Sequence, residues 1–144
     1  MKVYIGNYPS GGRWYNRLFN WYPDQTVYVH IDRWDTWSMD HTLAQIVLPM
    51  LKQLAKEKHG SPMVDAEDVP FELQGDTEKH DYLIHDRWDW VMKEMIYAFD
   101  CKVNQEEVYM RFDYKLHREE MEAEEKRISN GYRLFGKYYE GLWD

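Results

Sequence analysis

One cysteine, Cys101, stands among 144 residues, so no internal disulfide can close, and nothing argues against a reducing compartment. Apolar runs are short. No window approaches the roughly 18 uninterrupted apolar residues of a membrane helix. The opening Met1-Lys2-Val3-Tyr4-Ile5-Gly6 lacks the apolar stretch of a signal peptide. Cations are scarce: 18 Lys plus Arg face 26 Asp plus Glu, for a net charge of -8. Neutralising phosphates requires clustered cations, so this balance argues against general nucleic-acid backbone binding. A phosphate-binding glycine loop, a dinucleotide glycine fingerprint and a Gly-x-Ser-x-Gly elbow are all missing, which removes the commonest sequence signatures of catalysis. Aromatic residues, by contrast, are plentiful. They make up 17% of the chain within an apolar share of 44%, enough for one core in a single domain over residues 1–144.

Alternation places strands at Lys2–Ile5 and Thr26–Asp32, where Val27, Val29 and Ile31 share one face. The aromatic run Arg13–Tyr22 suits a short helix before Pro23. Met39, Leu43, Ile46, Val47, Met50 and Leu54 mark an amphipathic helix over Ser38–Lys58, with Ser38 at its N-cap and Pro49 inside it. The connection from Gly60 to Gly75 contains Pro62 and Pro70, and Asp65 is placed to cap one turn within it. A second helix is expected over Arg87–Asp100, opened by a capping box of Asp86 and Asp89. Val108–Phe112 alternates as a third strand would. His117–Arg127 reads as a solvated helix with a Glu122–Lys126 pair, and an apolar stripe returns from Ile128 through Tyr132, Phe135, Tyr139 and Leu142. The resulting expectation is α+β: a small antiparallel sheet covered by two long amphipathic helices and a C-terminal helix. Leu43, Ile46, Val47, Met50, Leu54, Val91, Met95, Ile96, Phe99 and Phe135 would form most of its core.

The tetrapeptide Asp-Arg-Trp-Asp occurs twice, at Asp32–Asp35 and Asp86–Asp89, with Trp37 and Trp90 close behind. A plain structural reading makes each Asp a cap, each Trp a core residue and each Arg the partner of a nearby carboxylate. A functional reading sets the two helix starts side by side. Arg33, Trp34, Trp37, Arg87 and Trp88 would then wall a site for a small anionic ligand, a nucleotide base or a partner's acidic loop. His30, Asp32, Asp40 and His41 raise a metal question. Asp40 and His41, however, are helix neighbours pointing about 100° apart, so they seldom ligate one ion together. His59, His80, His85 and His117 have no zinc spacing. No cofactor is implied, and Cys101 has no partner motif.

His30–Ala44, including Arg33-Trp34-Asp35-Thr36-Trp37-Ser38-Met39-Asp40-His41, resembles a family of small proteins of tailed bacteriophages. The likeness extends to Lys2–Gly6, Leu48–Leu54, Lys58–Pro62, Asp65–Pro70, Arg87–Trp90 and Gly131–Tyr139. Pro9–Gln25 and Asp100–His117 look shorter than in such relatives. The resemblance implies a phage gene expressed in the cytoplasm of an infected bacterium; it supplies no activity and no catalytic residues. Besides a component of the virion, the residues and the resemblance together leave three functions open. The first is an accessory protein that binds a host or phage protein, in counter-defence or host takeover. The second is a binder that sequesters a nucleotide-like ligand. The third is a metal-dependent hydrolase built on His30, Asp32, Asp40 and His41.

Overall fold

β-branched and aromatic residues alternate at both ends of the first forty residues, and there they pair. Strand β1 (Lys2–Gly6) runs antiparallel to β2 (Thr26–His30), with Val3 opposite Val29, Tyr4 opposite Tyr28 and Ile5 opposite Val27. The computed structural model describes residues 1–6, 18, 26–75, 82–110 and 117–143. Contacts group the chain into two units, Met1–Met39 and Asp40–Asp144. The first holds the sheet and a 3-10 turn at Arg33–Thr36, and its strand side chains are exposed on both faces. β2 ends at His30 rather than Asp32 because Asp32 turns to cap the 3-10 segment. Apart from Leu18, the helix expected over Arg13–Tyr22 lies outside the described residues.

The second unit is helical. Its elements are α1 (Met39–Glu57, beginning at the unit boundary), α2 (Phe71–Gln74), α3 (Ile84–Val103), α4 (Gln105–Met110) and α5 (Arg118–Lys137). With the two-stranded sheet, these five helices among the described residues make the architecture α+β. None of these helices is long and apolar enough to cross a membrane.

Four local expectations are corrected. Val108–Met110 is helical, not a strand: acidic Glu106 and Glu107 occupy the first turn of α4, where they favour the positive helix end. Residues 111 and 112 lie outside the described set. The segment after His117 and the apolar stripe as far as Phe135 are one helix, α5, in which Glu122 pairs back to Arg118 at 2.9 Å, while Tyr139 falls in a 3-10 turn beyond it. α3 starts at Ile84, so Asp86 sits inside its first turn while Leu83 occupies the N-cap without a side-chain bond. Ala66–Asp68 does form one turn with Asp65 at its N-cap position, but the Asp65 carboxylate makes no cap bond and pairs with Lys137 instead.

The core of the second unit centres on α3, which buries Trp88, Val91, Met92, Met95, Ala98 and Phe99. α1 contributes Ala44, Leu48 and Leu51. Leu43 and Met50, expected inside, are 45% and 64% exposed. Apolar residues cover so much of α1 that periodicity alone could not choose the centre of its buried face. α5 adds Leu134 and, just beyond its end, Tyr138; the connection adds Val64 and Val69. α3 and α5 approach closely at Gly131, where a Cβ would stand 2.6 Å from the Glu94 carbonyl oxygen. Beside that crossing Arg127 grips the buried Glu94 carboxylate with two bonds of 2.7 and 2.8 Å while its guanidinium lies 3.7 Å from the Tyr97 ring centre.

Candidate functional site

The first copy of the tetrapeptide makes a rigid surface turn. The Asp32 carboxylate accepts the Trp34 N–H at 3.2 Å, and the Asp35 carboxylate accepts the Asp32 N–H at 2.7 Å, a reciprocal capping box. Thr36 Oγ1 donates to the Arg33 carbonyl at 2.9 Å. The Met1 ammonium lies 2.7 Å from Asp35 and, with the Asp32 N–H, holds that carboxyl below its ordinary range. Fixed this way, the turn displays its indoles. Trp34 is 64% exposed and Trp37 82%, with ring centres 6.1 Å apart. The Arg33 guanidinium stands 4.9 Å from the Trp34 ring centre.

The second copy faces inward. Trp88 is fully buried, meets Tyr138 edge to face at 6.1 Å, and its Nε1 finds no hydrogen-bond partner among the described residues. Arg87, 2% exposed, donates from Nε to the Leu73 carbonyl and from Nη2 to the Gln74 carbonyl, both at 2.8 Å. These are carbonyls of the last turn of α2, which have no acceptor role left inside so short a helix. Gly75 follows with φ +46°, a left-handed conformation that closes the helix, and a Cβ there would stand 2.7 Å from Leu83 Cδ1. Both Arg87 and Trp88 are therefore engaged inside their own unit, and neither presents a group to a bound anion. Arg33, Trp34 and Trp37 do present theirs.

The residues of the metal question serve other roles, each within its own unit. Asp40 pairs with Lys102, which, together with the His41 N–H, holds the Asp40 carboxyl below its ordinary range. His41 Nδ1 lies 3.3 Å from the Lys102 carbonyl oxygen and its Nε2 3.0 Å from Gln45 Nε2. The carbonyl can only accept, so the ring proton sits on Nδ1, and Nε2 accepts from the Gln45 amide. His30 ends β2 and Asp32 caps the turn. Among the described residues no group of three His, Cys, Asp or Glu side chains is arranged to hold a metal ion.

Two features escaped the sequence reading. One is a buried polar anchor. Asp68 receives a hydrogen bond from the Tyr138 hydroxyl at 2.6 Å and ion pairs from Lys137 at 2.6 Å and Arg133 at 2.7 Å. Burial opposes its charge, but these three donors outweigh burial and hold the carboxyl below its ordinary range. The Tyr138 hydroxyl in turn accepts the Asp65 N–H at 3.0 Å; its own titration is pushed up to about 12 by burial and by the Asp68 bond. The anchor ties the connection to the end of α5. The second is a cavity of about 260 Å³ among α1, α3 and α5, walled by Leu43, Val47, Phe99, Tyr132 and Phe135, with Asp40 and Lys102 at its lip. A signal for it was present in the aromatic pair Tyr132 and Phe135, three residues apart on α5, but only the packing of three helices assembles it.

Comparison with known protein families, with curated proteins and with solved structures finds no match.

Proposed function

We propose that this chain works by binding a partner protein through the turn that carries Arg33, Trp34 and Trp37. The observation behind this reading is the display of two neighbouring indoles, 64% and 82% exposed, on a backbone already fixed by a capping box. Tryptophan and arginine are the residues that most often carry binding energy at protein interfaces, and a fixed turn loses little entropy when it docks. The resemblance of His30–Ala44 to small tailed-phage proteins supports an infected bacterial cytoplasm as the setting and a host or phage protein as the partner. Counter-defence or host takeover is the corresponding role. The charge of -8 suits a target whose surface normally meets phosphates.

The test is recovery of partners from infected cells with the tagged chain and with a Trp34→Ala/Trp37→Ala double variant. A specific partner captured by the parent and lost by the variant, with thermal unfolding unchanged, is the expected outcome. Equal capture by both would refute the role of the turn.

A further inference from the structure

α1, α3 and α5 meet around an apolar pocket of about 260 Å³ that opens to solvent at Leu43, which is 45% exposed. An apolar cavity of roughly 150 Å³ already admits benzene. The walls here are carbon. Phe99 meets Tyr132 edge to face at 5.3 Å and Phe135 at 4.9 Å, and the Tyr132 hydroxyl is directed away to the Ala98 carbonyl at 3.0 Å. Val47 adds a wall from α1, and Leu43 stands at the mouth. At the lip, the opposite charges of Asp40, near the start of α1, and Lys102, near the end of α3, neutralise each other.

We infer that this pocket of the second unit is a binding site for a free, neutral, single-ring molecule. A hydrocarbon ring matches the walls by size and by the absence of polar groups. Neutrality follows from the lip: an anion or a cation entering there has to compete for a charge that already has its partner, Asp40 for Lys102. A polypeptide bringing a phenyl side chain would also have to cover that ion pair with backbone, which favours a free molecule over a partner's residue.

The test compares benzyl alcohol, benzoate and benzylamine, which share one ring, by titration into protein labelled at its Leu and Val methyls. Benzyl alcohol should shift the Leu43 and Val47 methyls, and the two ions should bind at least about tenfold more weakly. Filling the space with Val47→Phe should abolish the shifts, and Leu43→Phe provides the same test from the mouth if the first variant does not fold. Asp40→Asn releases Lys102, so benzoate affinity should rise by between about ten- and a hundredfold, the range of a charge-assisted hydrogen bond. Absence of methyl shifts up to the solubility of benzyl alcohol, equal affinity for all three compounds, or indifference of benzoate to Asp40→Asn would each overturn the inference. Tighter binding of an acetylated, amidated phenylalanine than of benzyl alcohol would overturn its assignment to a free small molecule.

Discussion

The two Asp-Arg-Trp-Asp copies share four side chains and divide their roles in opposite ways. At Asp32–Asp35 the acids do the structural work: they close a capping box, while Trp34 faces solvent and Arg33 lies beside it. At Asp86–Asp89 the middle residues do it. Trp88 fills the core and Arg87 bonds the end of α2, while Asp86 merely occupies a first helical turn and Asp89 pairs with Lys58 at 2.5 Å on the surface. The difference comes from what precedes each copy. A strand ends at His30, so the chain reaching Asp32 is extended (ψ 153°) and an Asp can cap the turn. Before Asp86, Leu83 already occupies the N-cap, so the whole second tetrapeptide is helical and its Arg and Trp are adjacent members of the buried face. A tetrapeptide carries chemistry; its neighbours decide which part of that chemistry is used.

The largest expected contrast is between the tryptophans. Trp88→Ala should cost about 3–5 kcal/mol in denaturant unfolding, because it empties a fully buried ring site. Trp34→Ala should stay within about 0.5 kcal/mol, as exposed substitutions usually do. Equal costs would erase the comparison.

Alkaline titration sharpens it, because Trp88 packs on Tyr138. The Tyr138 phenol is raised from 10.0 to about 12, so its contribution is whole below pH 10 and is lost as pH climbs to about 12. The linkage amounts to roughly 2–3 kcal/mol. Tyr138→Phe should flatten the alkaline limb of stability against pH. Asp68 works at the other end: its carboxyl lies below 3.8 in the folded chain, so its contribution is present above that value and disappears as pH falls through the lower folded one. Asp68→Asn should remove that acid limb.

Between the arginines the gap narrows. Arg87→Ala leaves the Leu73 and Gln74 carbonyls without a buried donor and should cost about 2 kcal/mol or more. Arg33→Ala should cost under about 0.5 kcal/mol. The acids reverse the order: Asp32→Ala removes a cap worth about 1 kcal/mol, whereas Asp86→Ala changes only a first-turn charge, about 0.3 kcal/mol. Unfolding of the four single variants measures both pairs.

Patterns with a short physical range were readable from residues alone. The alternation of Val3, Ile5, Val27 and Val29 located both strands, and Met39 to Leu54 located α1 within a residue or two. The α+β class followed. Long-range features were not readable. Alternation at Val108–Met110 suggested a strand because side-chain order says nothing of the two glutamates' preference for a helix start. Asp68 sits in the Gly60–Gly75 connection, and nothing in that stretch announces that Arg133, Lys137 and Tyr138, some seventy residues on, close around it. Arg33, Trp34 and Trp37 were singled out and do reach the surface; Arg87 and Trp88 were singled out with them because identical residues conceal different burial.

Indole N–H exchange tests the divided roles of the two copies most directly. With the seven tryptophan Nε1–H signals assigned by single Trp→Phe variants, transfer into deuterated water should erase those of Trp34 and Trp37 at once, while that of Trp88 persists until the second unit opens. Immediate loss of the Trp88 signal, or protection of Trp34 comparable with it, would contradict the account.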